Sequence, residues 1–267
     1  MNRLPAVLVF TFCLSCGSSA ASSSLDIAGL FDQANKTFST ANQQQDPERQ
    51  KDLYRQAAMI YQRLIDEGHI SNPKLYYNLA NAYLLCGDIG RAILNYRRAE
   101  ALDRTDANIQ KNLAFARSRR ADAVPVRTQQ QVLGVLFFWH FDLAAANRVL
   151  LACVGLGVAC LAMTIMIWLG RSSLWYAVVA VGLIVFLAMT GSVLLEQHER
   201  SSRTFGVIVA EQTVARQGDG PAYPEAFKGP LHAGTEFELI EARPGWLHIR
   251  LSDGSDGWIV QDAAELI

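Results

Sequence analysis

Residues 149–169 (VLLACVGLGVACLAMTIMIWL) and residues 174–195 (LWYAVVAVGLIVFLAMTGSVLL) are two apolar runs that contain no charged residue. Each run has about 21 residues, which as an α-helix measure about 32 Å and can cross a bilayer core of about 30 Å. Only residues 170–173 separate the runs, so they predict a transmembrane hairpin with a tight turn. Because a hairpin returns the chain to the side that it left, both flanking segments are predicted to face one compartment.

Charge is distributed unevenly around this hairpin. Residues 22–113 have balanced charge, whereas residues 204–267 contain four basic and ten acidic side chains, a net charge of −6. Such an acidic segment disfavours binding to nucleic acid or to anionic lipid. Residues 114–148 are rich in arginine and precede the first run, where they can contact lipid phosphates. The absence of charge within the runs disfavours a transport function.

Residues 1–21 are typical of a secretory signal, with Arg3, an apolar stretch and small residues suited to cleavage. Two alternatives remain open: lipidation at Cys16, and retention as an uncleaved anchor. All three export the segment that follows. The arginines that flank the hairpin favour the opposite orientation. Since the signal acts first, we expect two spans in the cytoplasmic (inner) membrane and extracytoplasmic flanking domains.

The cysteines and histidines predict no disulfide framework, metal site or catalytic site. Of the five cysteines, only Cys86 lies in an exported soluble region, where a small buried residue at a helix end is the simplest interpretation. The histidines lack metal-ligand spacing, and no hydrolase or phosphate-binding motif is present. We therefore expect no enzyme activity and no cofactor.

Helical periodicity dominates residues 25–117. The pattern predicts a helix over residues 25–38, a polar interruption at residues 40–49, and a second helix that has Pro47 in its first turn and ends at Gly68. Further helices are predicted over residues 74–86, after a cap at Asp88, and from Thr105. Spacings of three and four place small and aromatic residues on facing stripes; these are Tyr76, Leu79, Ala80, Tyr83, Ala92, Tyr96 and Ala99.

These positions resemble the tetratricopeptide (TPR) repeat over residues 73–106. Small residues let two helices approach closely, and aromatic residues fill the space between pairs. A degenerate repeat precedes this one, with Ala57 and Tyr61 in matching positions, and residues 107–117 are expected to form a capping helix. The resemblance implies an all-α TPR-like domain over residues 22–117.

A polar face lies opposite the apolar stripe and would line the TPR groove. It is the candidate partner-binding site, formed by Lys74, Tyr77, Asn78, Asn81, Lys111 and Asn112. Amides can bond a peptide backbone and lysines can meet a carboxylate, which partly resembles a TPR carboxylate clamp, although Tyr77 replaces an expected lysine. The alternative is an ordinary solvated helix face.

Residues 118–148 form a linker followed by an aromatic segment. Residues 132–141 combine bulky apolar side chains with His140 in a stretch too short to span a bilayer. Aromatic residues beside a span favour the headgroup zone, which predicts an interfacial helix. Packing against the preceding helices is the alternative.

Residues 204–267 predict short strands punctuated by glycine turns, which suggests a small all-β barrel. The opening run at residues 206–209, Gly245-Trp246 and the closing DGSDGWI at residues 253–259 resemble the bacterial SH3-like domain. Tyr223, Phe227, Trp246 and Trp258 are candidates for a ligand groove; for the two tryptophans the alternative is a core or half-buried position.

The fold class is therefore a multidomain membrane protein: an all-α TPR-like domain, a two-helix transmembrane hairpin at residues 149–195 and a C-terminal all-β SH3-like barrel. This order of segments resembles BatE-type proteins of the bacterial aerotolerance operon. The resemblance implies a non-enzymatic scaffold that acts with membrane proteins containing von Willebrand factor A domains and with a MoxR-type ATPase. The alternative is a peptidoglycan-binding accessory of an envelope hydrolase that acts through the SH3-like domain.

Overall fold

The computed structural model describes residues 26–122, 143, 145–170 and 172–267. The predicted signal at residues 1–21 and the predicted interfacial helix at residues 132–141 lie outside the described residues. Within the described part, seven α-helices precede a C-terminal antiparallel sheet.

Five helices form the N-terminal domain. Their bounds are α1 Ile27–Gln43, α2 Pro47–Asp66, α3 Pro73–Cys86, α4 Ile89–Leu102 and α5 Ala107–Arg119. Each begins after an Asp or Asn whose side chain accepts a hydrogen bond from the first turn, which satisfies a helical N–H that would otherwise lack a partner. The predicted cap at Asp88 is confirmed, and Gly87 closes α3 with a φ of 94°, a conformation that favours glycine.

The first helix is longer than the sequence pattern predicts. It extends to Gln43 through part of the expected polar interruption, and only residues 44–46 separate it from α2. Ala41 is fully buried there, and the Gln50 side-chain amide donates to its carbonyl at 3.0 Å. Packing against α2 therefore extends the helix where the local propensity is weak.

The first four helices form two antiparallel pairs with the same internal contact. In α1–α2 the Tyr61 hydroxyl donates to Asn35 Oδ1 at 2.7 Å, and in α3–α4 the Tyr96 hydroxyl donates to Asn81 Oδ1. Both tyrosines are buried, and burial raises the pKa of Tyr61 to about 12, so its hydroxyl remains a donor. The shared contact makes this a helical repeat-like arrangement.

Two long helices, α6 Ala145–Leu169 and α7 Ser173–Ser202, pack against each other as an antiparallel hairpin. Each is long and apolar enough to cross a membrane, over Ala145–Trp168 and Ser173–Gln197. A Cβ atom on Gly182 would lie 2.7 Å from the Gly155 carbonyl oxygen, so the close approach requires glycine. Large apolar side chains such as Trp168, which is 85% exposed, point outward.

The C-terminal domain is an open antiparallel sheet rather than the predicted closed barrel. Its strands are β1 Thr204–Ile208, β2 Gln212–Thr213, β3 Leu231–His232, β4 Glu236–Arg243, β5 Trp246–Arg250, β6 Asp256–Val260 and β7 Ala264–Leu266. Five strands follow the order β6-β5-β4-β1-β7, and β2 pairs with β3 separately. The prediction failed because the alternation reveals the strands but not whether β6 and β7, at the two edges, pair with each other.

The sheet packs directly on α4 of the helical domain. Val207 of β1 is fully buried in the same apolar cluster as Ile93 and Leu94 of α4. A Cβ atom on Gly90 would lie 2.8 Å from the Ile208 carbonyl oxygen and 3.0 Å from Val209 Cα. The helical domain and the sheet therefore share a core, and Gly90 permits their close approach.

We expect Gly90→Ala to destabilise the full chain in detergent by about 1 kcal/mol. The added methyl group meets backbone atoms that must move, which costs about 1–3 kcal/mol, against a gain of about 1 kcal/mol in helix propensity. Thermal unfolding followed by circular dichroism measures the change. Gly229→Ala is the control because a Cβ atom there has open space. A higher melting temperature for Gly90→Ala would contradict the shared core.

Candidate functional site

Three of the six predicted groove residues form a closed hydrogen-bond network between α3 and α5. The Asn112 amide donates to the Tyr77 hydroxyl oxygen at 2.9 Å and to Asn81 Oδ1 at 3.0 Å. Asn81 Oδ1 also accepts from the buried Tyr96 hydroxyl of α4. These side chains therefore hold the three helices together, and Asn81→Ala would leave buried donors without a partner at a cost of about 1–3 kcal/mol.

The other three predicted groove residues lie outside this network. The side chains of Lys74, Asn78 and Lys111 make no hydrogen bond or ion pair with any residue that the structure describes. Both lysines are exposed and Asn78 is half-buried. Lys74 and Asn78 share a face of α3, and Lys111 precedes Asn112 on the adjacent α5. Two cations and one amide therefore flank the residues of the hydrogen-bond network along α3 and α5.

Cys86 lies at the C-terminus of α3, as the sequence predicted, but it is half-buried rather than buried. Burial raises the pKa of its thiol, and its Sγ lies 3.3 Å from the Tyr83 carbonyl oxygen. A raised pKa lowers the fraction of nucleophilic thiolate at neutral pH. No group of three metal-ligating side chains occurs among the described residues. The absence of enzyme activity remains a prediction.

The four aromatic candidates of the C-terminal domain differ in exposure. Trp258 is 7% exposed and stacks on His248, with 4.7 Å between the two ring centroids. The Arg243 guanidinium carbon lies 4.7 Å from the centroid of the Trp258 ring. Trp246 and Phe227 are half-buried, whereas Tyr223 is 48% exposed. The alternative of core or half-buried tryptophans is confirmed.

The structure shows a charge cluster between the domains that sequence reasoning missed. Glu236 of β4 accepts two hydrogen bonds from Arg117 of α5, both at 2.7 Å, and lies 3.3 Å from Arg120. Arg97 Nε of α4 is 3.2 Å from the same carboxylate, an ion pair without hydrogen-bond geometry. Burial alone would raise the pKa of Glu236, but Arg117 and its neighbours outweigh burial and lower it.

Asp122 attaches the last residues before the linker to the sheet. Its carboxylate accepts from the His232 backbone N–H at 2.7 Å and from the Thr235 hydroxyl at 2.8 Å, and it lies 2.9 Å from His232 Nδ1. Burial acts to raise the pKa of Asp122, but these hydrogen bonds lower it. The domain contact thus extends beyond the predicted boundary at residue 117.

A second missed cluster lies at the open end of the hairpin. The helices continue past the apolar runs, and the residues just outside them, Arg148 and Glu196, form an ion pair that is 1% and 6% exposed. Arg148 also donates to the Ser192 hydroxyl at 2.8 Å, and Arg104 of the helical domain lies 3.2 Å from Glu196. Charged pairing therefore joins the helical domain to both hairpin helices.

A scan against protein-family models and searches of curated proteins and solved structures found no match to the chain.

We expect Glu236→Gln to lower the unfolding free energy of the full chain by about 2 kcal/mol at pH 7, because it leaves a half-buried arginine cluster without its carboxylate. The pKa of Glu236 is lower in the folded state. The stabilisation that the Glu236 carboxylate contributes is therefore complete above the unfolded pKa of about 4.3, and it is lost as pH falls through the pKa of the folded state. Unfolding measured from pH 7 to pH 3 should show the two forms converge in acid.

Glu241→Gln is the matched control, since Glu241 pairs with Arg243 on the exposed surface of the same strand. We expect little change from it at any pH. A difference between the native chain and Glu236→Gln that stays constant down to pH 3 would argue against the ion cluster as its cause.

Proposed function

We propose that this protein is a membrane-anchored extracytoplasmic scaffold that binds a partner protein through the groove between α3 and α5. The observation that carries the proposal is that some groove residues bond to one another and others do not. Tyr77, Asn81 and Asn112 link α3 to α5, while the side chains of Lys74 and Lys111 make no ion pair with any described residue and can meet an acidic segment. Because the hydrogen-bond network already fixes α3 and α5, binding a peptide there costs less conformational entropy.

The helical domain is best interpreted as TPR-like. Support comes from the equivalent tyrosine–asparagine contacts in its two helix pairs and from the complete burial of small residues such as Ala80, Ala92 and Ala99. The C-terminal sheet is then the SH3-like domain in an open form. This order of segments resembles that of BatE-type proteins. The resemblance implies membrane partners with von Willebrand factor A domains and a MoxR-type ATPase system.

The extracytoplasmic position rests on the signal-like N-terminus and on the shared side of the flanking domains. Ion pairs such as Arg117–Glu236 and Arg104–Glu196 are consistent with both domains lying at the open end of one hairpin. If the hairpin crosses the cytoplasmic membrane, one topology measurement assigns the compartment of both domains.

Fusions after residues 117 and 267 test the topology. We expect alkaline phosphatase to be active at both positions, and green fluorescent protein to be dark when exported through the same route, because both domains face outward. A fusion in the turn at residue 172 should give the reverse result. Activity at only one of the two positions would refute the hairpin, and fluorescence at both would place the domains in the cytoplasm.

The groove is tested by a photocrosslinking amino acid placed at Asn78 in the full chain. We expect an adduct, identified by mass spectrometry in native membranes, with a membrane protein containing a von Willebrand factor A domain. Lys74→Ala with Lys111→Ala should reduce its yield about tenfold or more, since each charged hydrogen bond contributes about 1.5–3 kcal/mol.

The same crosslinker at Met59, which is 58% exposed on α2, is the positional control. An equal adduct at both positions, or an unchanged yield in the double variant, would eliminate the groove. Retention of the chain on purified sacculi without such an adduct would favour the peptidoglycan-binding alternative.

A further inference from the structure

A cavity of about 330 Å³ lies where the helical domain, the end of α7 and β1 meet. Its walls include Arg97, Glu100 and Ala101 of α4, Arg104 of the following loop, Arg203 of the α7–β1 connection and Phe205 of β1. We call it the junction cavity. Its volume is at the lower end of the range for small-molecule sites, which suits a headgroup-sized ligand.

Positive charge in this cavity is only partly neutralised. Arg97, Arg104 and Arg203 face one carboxylate side chain, Glu100, within the lining, which also includes Ile267 with its main-chain carboxylate. The further carboxylate beside each arginine is shared with other arginines: Glu236 with Arg117 and Arg120, Glu196 with Arg148, and Glu238 with Arg250. The Nε atom of Arg97 is buried and makes no hydrogen bond with any described residue, although the Glu236 carboxylate lies 3.2 Å away. The cavity therefore offers cationic donors that an anion would satisfy.

The position of the cavity relative to the hairpin indicates the source of that anion. The apolar window of α7 ends at Gln197, and Arg203 follows six residues later. Six residues of helix measure about 9 Å, close to the depth of one headgroup layer of about 5–8 Å. Ala101 and Phe205 add an apolar wall beside the arginines, where the glycerol and upper acyl carbons of a lipid would lie.

We propose that the junction cavity binds the phosphate headgroup of an anionic membrane phospholipid. Arg104 and Arg203, with side chains 46% and 51% exposed, would donate to the phosphate oxygens, while Arg97 supplies charge from the inner wall. The bound lipid would join the helical domain, the hairpin and the sheet at one point. This inference rests on the proposal that α6 and α7 cross a bilayer.

Native mass spectrometry of the full chain in detergent, with phosphatidylglycerol added, tests the proposal. We expect at least one tightly retained phosphatidylglycerol, and about tenfold weaker retention in Arg104→Gln with Arg203→Gln, equivalent to the loss of one charged hydrogen bond. Arg55→Gln with Arg63→Gln is the matched control, because these arginines are 57% and 53% exposed in ion pairs on α2.

A second variant separates loss of binding from loss of folding. Ala101→Trp fills the apolar wall without removing any charged side chain and should also weaken retention. Equal retention in the native chain and both cavity variants, or equal retention of phosphatidylcholine and phosphatidylglycerol, would overturn the proposal. Displacement of the lipid by millimolar inorganic phosphate would assign the cavity to a free anion and overturn it as well.

Extraction from native membranes with alkaline carbonate distinguishes failure of this proposal from failure of the proposed anchor. A chain that resists extraction but retains no phosphatidylglycerol contradicts the lipid site alone. A chain that is released contradicts the anchor, and with it the position on which the lipid site depends.

Discussion

One carboxylate, Glu236, holds the helical domain against the sheet. It lies on β4 and meets Arg97 of α4, Arg117 of α5 and Arg120, the first residue after α5, so three cations converge on a single strand. Apolar burial brings these elements together, since Val207 shares a core with Ile93 and Leu94. Burial is non-directional, however, and the charged contacts fix how the sheet is oriented on α4. The geometry of the junction cavity depends on that orientation, because residues of α4 and of β1 both line it.

The hairpin shows a similar combination of apolar packing and a fixed charged contact. Gly155 and Gly182 allow α6 and α7 to approach closely along their length. At the open end, Arg148 and Glu196 pair with little exposure, and Arg104 reaches the same carboxylate from the helical domain. Burying a charged pair this completely costs desolvation free energy unless other groups also bond to it. Removal of one partner would leave the other charge buried without compensation.

Local sequence predicted the elements well and their long-range contacts poorly. Local signals act on neighbouring residues: Gly87 and Asp88 mark where one helix ends and the next begins, and the apolar runs mark helices long enough to cross a bilayer. Glu236 lies 119 residues from Arg117 along the chain, and nothing in its local sequence distinguishes it from an exposed strand glutamate. The groove illustrates the same limit. Spacing placed Tyr77 and Asn81 on one face of α3 and Asn112 at a matching position on α5, but only the structure shows that Asn112 donates to both of them. For the sheet, the alternation predicted β4 and β5 but could not show whether the edges close.

The connection between α7 and β1 has a mechanical consequence. Arg203 is the only residue between Ser202, the end of the helix, and Thr204, the start of the strand, so there is no flexible tether between hairpin and sheet. With α6 and α7 in a bilayer, the groove would keep a nearly constant height and tilt above the lipid surface. Encounter with a partner would then be a search in two dimensions, favouring proteins confined to the same membrane over those diffusing freely.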